Sequence, residues 1–122
     1  MAGTILVVDD EKNIVQLARL YLDKEGYRVE AAYDGAQALE KARSVRPDLV
    51  ILDIMMPEMD GLDTMREIRK VPSLRSLPII AVTAKAMKGD RERCIEAGAW
   101  DYLSKPVEPH HLLAVLRSWL YR

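Results

Sequence analysis

The chain has 122 residues, enough for one domain with a real core and too few for two. Hydrophobic residues make up 49% and charged residues 30%, with a formal net charge of -1, so the basic excess that a nucleic-acid or anionic-membrane surface needs is absent. The lone cysteine, Cys94, forbids an intrachain disulfide and fits a reducing, cytoplasmic setting.

The N-terminus lacks the basic and apolar regions of a signal peptide. No apolar run reaches the ~18–20 residues of a membrane span. There is no internal repeat, low-complexity stretch or linker, so residues 1–122 read as a single domain.

In chain order, Ile5–Val8 is a strand ending at Asp9-Asp10. Ile14, Leu17, Ala18, Tyr21 and Leu22 follow at three-and-four spacing, the face of a helix that Gly26 stops. Arg28–Tyr33 is a second strand with Asp34-Gly35 as its turn, and Ala38, Leu39 and Ala42 mark a short helix closed before Pro47. Leu49–Leu52 is the third strand. Gly61 opens a helix with Leu62, Met65 and Ile68 inward. Pro78–Val82 is the fourth strand, followed by a helix from Ala86 to Ala97 with Met87, Cys94 and Ile95 inward and Gly98 as its stop. Trp100–Ser104 is a short fifth strand, and Leu112, Leu113, Leu116, Trp119 and Leu120 form the stripe of a last helix.

That is a strand–helix unit repeated five times. Strict alternation implies a parallel sheet in three layers. Right-handed crossovers leave few topologies. Ligands of such sheets bind outside the carboxyl ends of the strands.

Four of the five strands end in a charged or hydroxyl side chain: Asp9-Asp10, Asp53, Thr83 and Lys105, the last followed by Pro106. Three carboxylates on one rim repel each other, which raises at least one pKa. A hard divalent cation removes that conflict. Magnesium, with manganese as a substitute, suits carboxylates, waters and phosphate oxygens. No His or Cys cluster suggests zinc. Thr83 and Lys105 add a donor and a cation, so a dianionic tetrahedral group would satisfy the whole rim. The expectation is magnesium-assisted phosphoryl transfer onto a carboxylate. Asp53 stands alone on its strand and is the nucleophile candidate; Asp9-Asp10 suit the metal.

ILVVDDE at 5–11, VILDIMMPEMDG at 50–61, PIIAVTA at 78–84 and AGAWDYLSKPV at 97–107, in that order and spacing, resemble the receiver domain of response regulators in two-component signalling. The resemblance runs over essentially the whole chain. It implies a flavodoxin-like (CheY-like) fold of strand order 2-1-3-4-5 with five helices. It implies Asp53 as phospho-acceptor, and Asp10, Asp53 and the Met55 backbone carbonyl as magnesium ligands with Asp9 acting through water. It further implies Thr83 and Lys105 on phosphoryl oxygens, Tyr102 as the aromatic switch and a cis Lys105-Pro106 bond. Met55 and Lys85 flank the phosphoryl site and tune its lifetime. Residues 83–94 and 116–122 resemble receivers carried by hybrid sensor histidine kinases.

The implied partner is a histidine kinase or histidine phosphotransfer protein, with an unspecified downstream protein target, no nucleic acid and no membrane, in a monomer or weak dimer. The implied role is a relay rather than an enzyme, although such domains catalyse their own phosphorylation from small donors and their own dephosphorylation. On phosphorylation, Thr83 draws in, Tyr102 rotates, and the face of the fourth helix, fifth strand and fifth helix changes.

Plainer readings compete. Asp9-Asp10 and Thr83 could simply cap helices, Lys105 could be solvated, and Tyr102 could be a half-buried strand residue. Met55, Met56 and Met59 suit loop packing, and His110 and His111 suit an unspecialised first helical turn. A haloacid-dehalogenase-type phosphatase needs an acid where Met55 stands and room for a cap. A flavin carrier needs a Ser/Thr/Gly-rich phosphate loop where Asp9-Asp10-Glu11 stands. A pseudo-receiver would have lost a rim residue, and none is lost.

Overall fold

The computed structural model describes residues 3–55, 61–83 and 89–120. The elements are β1 (Thr4–Val8), α1 (Lys12–Lys24), β2 (Arg28–Ala32), α2 (Gly35–Val45), β3 (Leu49–Asp53), α3 (Gly61–Lys70), β4 (Ile79–Thr83), α4 (Asp90–Ala97), β5 (Asp101–Ser104) and α5 (Pro109–Leu120). A one-turn 3-10 helix at Pro72–Leu74, which the sequence pattern did not signal, joins α3 to β4. The five strands form one parallel sheet of order β2-β1-β3-β4-β5, as the resemblance implied.

Alternation along the strands builds two cores. Leu6, Val8, Val50 and Leu52 face one side, under Ala38, Met65, Ile68 and Cys94 of α2, α3 and α4. Ile5, Val7, Leu49 and Ile51 face the other, under Val15 and Leu22 of α1 and Leu112, Leu113 and Leu116 of α5. Every residue of β3 and β4 is buried, as expected for strands covered on both faces.

Local chemistry fixes the ends. At α2, the N-cap Asp34 accepts the Gln37 N–H at 2.8 Å while the Gln37 side chain reaches back to accept the N–H of the preceding Tyr33 at 3.0 Å, so the two bonds fix the entry into the helix. Gly61 starts α3 where the chain passes close to β3; a Cβ there would run into the Ile54 Cα and the Asp53 carbonyl. That approach demands glycine.

Two helix faces differ from the sequence reading. In α1 the buried seam is Val15 and Leu22, with Ala18 partly buried, whereas Leu17 is 51% exposed. The chain offers two apolar stripes on α1, and the sheet takes the one shifted by a residue. Ile14, Leu17 and Tyr21 flank a groove instead. In α4, Cys94 is buried as expected, but Ile95 is 41% exposed, because the short helix seats only Asp90, Cys94 and Ala97. Met87, Lys85 and the expected start at Ala86 lie outside the described residues, and so do Met56 and Met59. β5 begins one residue later than expected, with Trp100 beside it stacked edge-on against Trp119 at 5.3 Å.

Candidate functional site

The carboxyl ends of β1, β3, β4 and β5 bring the expected rim residues together. Asp9 and Asp53 are 3% and 4% exposed and Thr83 is fully buried, whereas Asp10 is exposed. One carboxylate oxygen from each of Asp9, Asp10 and Asp53 lies within 4.8 Å of the other two. An all-oxygen set of this kind fits a hard divalent cation.

Lys105 reaches back into the cluster from the end of β5. Its ammonium is 2.8 Å from Asp9 Oδ2 and 3.4 Å from Asp53 Oδ2. Its own N–H donates to the Thr83 carbonyl at 2.7 Å, tying the ends of β4 and β5 together. The other oxygens are held by the backbone: Glu11 N–H donates to Asp9 Oδ1 and Met55 N–H to Asp53 Oδ1, both at 2.9 Å. Each carboxylate is thereby fixed in orientation by the loop that follows its strand.

The electrostatics follow from this packing. Burial pushes the Asp53 pKa up, and the neighbouring Asp9 charge adds to that; the Met55 N–H and Lys105 oppose it. Burial works against the Lys105 ammonium, but its hydrogen bond to Asp9 and the charge of Asp53 outweigh it and raise its pKa. The rim therefore holds a strained acid and a firmly protonated base side by side.

The peptide bond Lys105-Pro106 is cis, as the resemblance implied. Tyr102 packs against the α2–α4 core, and its buried hydroxyl has no hydrogen-bond partner among the described residues. Burial, then the charges at Asp90 and Cys94, push its pKa up. Met55 is described, with its side chain 53% exposed; Lys85 is not among the described residues.

Three features escaped the sequence reading. A groove of about 400 Å³ runs from Asp53 and Lys105 between α1 and the start of α5. Lys12 stands 5.9 Å over the Tyr33 ring at the rim. Asp101 accepts the Trp119 indole N–H at 3.1 Å and the Tyr102 N–H at 2.8 Å, strapping α5 to β5 beside the aromatic residue. The first could have been suspected from the surplus of apolar residues on α1; the other two pair residues too distant in sequence to be matched.

The family model of the response regulator receiver domain matches residues 5–117. The chain belongs to that family. The response regulator MprA of Mycobacterium ulcerans is 43% identical over all 122 residues, which cover 52% of its length. The alkaline phosphatase synthesis transcriptional regulatory protein PhoP of Bacillus subtilis is 41% identical over the same residues, 50% of its length. The chain thus spans about half the length of the curated relatives it matches. Among solved structures, the receiver domain of the sensor histidine kinase PA1611 of Pseudomonas aeruginosa, with magnesium coordinated in its active-site cleft, matches with a TM-score of 0.91 at 38% identity, covering 100% of both chains. A response regulator of Chloroflexus aurantiacus matches with a TM-score of 0.93 at 34% identity, again over 100% of both.

The chain is therefore a phospho-accepting receiver domain of two-component signalling, a signalling module of a family that binds magnesium at an acidic pocket and works with histidine kinases or phosphotransfer proteins. Response regulators and the receiver of a sensor histidine kinase both stand among its relatives. No helix among the described residues is long and apolar enough to cross a membrane.

Proposed function

We propose that Asp53 is the residue phosphorylated, and that residues 1–122 act as one receiver that takes the phosphoryl group from a phosphohistidine. The observation that carries this is the placement of Lys105 between two buried carboxylates, one of which, Asp53, is held by a backbone N–H at 2.9 Å and points its second oxygen to the rim. A carboxylate so fixed is positioned for in-line attack.

Asp10 and Asp53, with the Met55 carbonyl, are the proposed metal ligands, and Asp9 acts through water because the Lys105 ammonium holds its second oxygen at 2.8 Å, closer than the 3.4 Å to Asp53. Magnesium, or manganese on the same oxygens, supplies charge neutralisation for the carboxylates and the incoming phosphoryl oxygens. Asp53 attacks phosphorus and the donor's nitrogen or oxygen departs opposite. Lys105 and the Thr83 hydroxyl then bind oxygens of the aspartyl phosphate. Movement of Thr83 toward that group frees space for Tyr102, whose hydroxyl has no partner among the described residues, and the α4–β5–α5 face changes. Lys85 and Met55 set the lifetime of the phosphoryl group, and the domain catalyses its own phosphorylation and dephosphorylation. We place it in the cytoplasm, as a monomer or weak dimer, in a setting either kinase-borne or free-standing; partner contacts are protein surfaces rather than nucleic acid or membrane.

The test is incubation with magnesium and acetyl phosphate, followed by intact mass. The expected result is a gain of one phosphoryl group that requires magnesium and vanishes in Asp53→Asn. A gain that survives Asp53→Asn overturns the assignment.

A further inference from the structure

Asp101 joins two helices to the residue that precedes the aromatic Tyr102. β5 is an edge strand of the sheet, and alternation along it sends Leu103 into the core under α5 and Tyr102 against the core under α4. Asp101, two residues before Leu103, shares the α5 side. Its carboxylate is divided between two donors: Oδ1 accepts the Tyr102 N–H at 2.8 Å, and Oδ2 accepts the Trp119 indole N–H at 3.1 Å. Trp119 also stacks edge-on against Trp100 at 5.3 Å, so the last turn of α5 is fastened to the two residues directly before Tyr102. The arm to α4 is looser. Arg91 Nη1 stands 3.8 Å from Asp101 Oδ1, and the Arg91 side chain is 61% exposed. An exposed ion pair of that length holds little, whereas hydrogen bonds to an ionised carboxylate are among the stronger ones.

We propose that the Asp101–Trp119 hydrogen bond is the link that carries movement of Tyr102 to α5, so that α5 rather than α4 follows the aromatic residue. The proposal rests on Asp53 as phospho-acceptor and on Tyr102 as the side chain that moves. A shift of Tyr102 displaces its N–H. Asp101 Oδ1 is bonded to that N–H and Oδ2 to the indole, so one rigid carboxylate passes the displacement from strand to helix. Asp101 and Trp119 are positioning residues: neither touches the phosphoryl site. The Trp100–Trp119 stack holds the indole near β5 but lets it slide, because packing is not directional in the way a hydrogen bond is.

The experiment is NMR of the full chain with and without magnesium and beryllofluoride, a phosphoryl mimic. It reads the Tyr102 ring signals and the amide shifts of Leu116, Arg117 and Ser118 in α5. Both sets are expected to respond in the unaltered protein. Trp119→Phe keeps a ring against Trp100 and deletes the N–H; Asp101→Ala cuts the same link from the strand side. In each, the α5 response is expected to fall below about half, while the Tyr102 response and aspartyl phosphate formation from acetyl phosphate stay unchanged. Arg91→Met removes only the loose arm to α4 and is expected to leave both responses intact. A merely structural bond would lower the urea midpoint of the variants and leave the α5 response whole. An α5 response of half or more in either link variant, one lost in Arg91→Met, or a silent α5 beside a moving Tyr102 in the unaltered protein overturns the proposal. A silent Tyr102 overturns the switch reading beneath it, and responses that persist in Asp53→Asn overturn the phospho-acceptor assignment.

Discussion

The Lys105 ammonium is closer to Asp9, at 2.8 Å, than to Asp53, at 3.4 Å. The lysine expected to serve the phosphoryl group thus spends its charge on the carboxylate expected to face the metal. A divalent cation entering the cluster meets an ammonium in possession of Asp9 Oδ2. Like charges a few ångströms apart at a buried rim interact by kilocalories even at a high effective dielectric. Lys105→Met is therefore expected to bind magnesium about tenfold more tightly or better, as read by calorimetric or NMR titration, while aspartyl phosphate formation falls. Weaker magnesium binding in Lys105→Met would contradict the competition. In an Asp9→Asn background the gain should shrink, since the two substitutions act on one contact.

Asp53 contributes a cost to the fold. Its pKa is raised, first by burial and then by Asp9, despite the Met55 N–H and Lys105. A carboxyl whose folded pKa exceeds its unfolded value binds more protons in the folded state. Stability then falls as pH rises from the unfolded value through the folded one, and stays low at neutral pH. Asp53→Asn removes that loss. In metal-free buffer at neutral pH its melting temperature is expected to exceed that of the unaltered protein by about 2–5 °C. The difference should vanish below the ordinary carboxylate range. A variant melting lower at neutral pH would show that the Lys105 pair outweighs burial.

The parallel sheet and the rim residues were legible because four of the five apolar runs end abruptly in a polar side chain, and a parallel sheet sends those ends to one side; the strand order came only from the family resemblance. Asp53 was visible as the only charge closing Leu49–Leu52. The seam of α1 was legible only in part: Ala18 and Leu22 were expected on it, and Val15 was not. Ile14, Leu17 and Tyr21 compete with Val15, Ala18 and Leu22, both at helical spacing, and only the crossing of the helix over the sheet chooses between them. Ile95 misled for a related reason: a helix of eight residues seats a narrow face, and the adjacent apolar residue stays out. Convergence of Lys105 with Asp9 and Asp53 followed from topology, but which carboxylate it touches depends on side-chain reach that no spacing encodes.

The Tyr102 hydroxyl offers a direct measure of how the aromatic residue is held. It is buried without a partner among the described residues, so the folded state carries the desolvation of a hydroxyl with no bond in return. Tyr102→Phe keeps the ring against the α2–α4 core and deletes the orphaned group. The expected change is a stabilisation of up to about 1 kcal/mol in urea unfolding, with phosphorylation by acetyl phosphate intact. A loss of 1 kcal/mol or more would mean the hydroxyl has a bond the packing does not suggest.

Arg69 is a structural pin outside the rim. From α3 its guanidinium donates to the Gly98 carbonyl through Nε at 3.1 Å and Nη2 at 2.6 Å, and through Nη1 to Leu74 at 2.9 Å and Arg75 at 3.2 Å. One side chain thereby ties the C-terminal end of α4 to α3 and the 3-10 turn. Gly98 at φ 120° has no Cβ, and one built there would meet the Arg69 side chain at 2.9 Å. Burial lowers the Arg69 pKa, yet a guanidinium stays charged at neutral pH. Arg69→Met strips donors from three carbonyls and is expected to cost about 2–3 kcal/mol in denaturant unfolding. Arg69→Lys should recover less than half of that, because an ammonium cannot reproduce a planar fork that reaches carbonyls on two segments. Full recovery by lysine would reduce the pin to a point charge at the end of α4. A distinct readout is hydrogen exchange at Ala99 N–H, which donates to the Cys94 carbonyl at 2.9 Å and closes α4. It should speed up in Arg69→Met more than the amides of β1, since the lost clamp acts on the helix end rather than on the sheet.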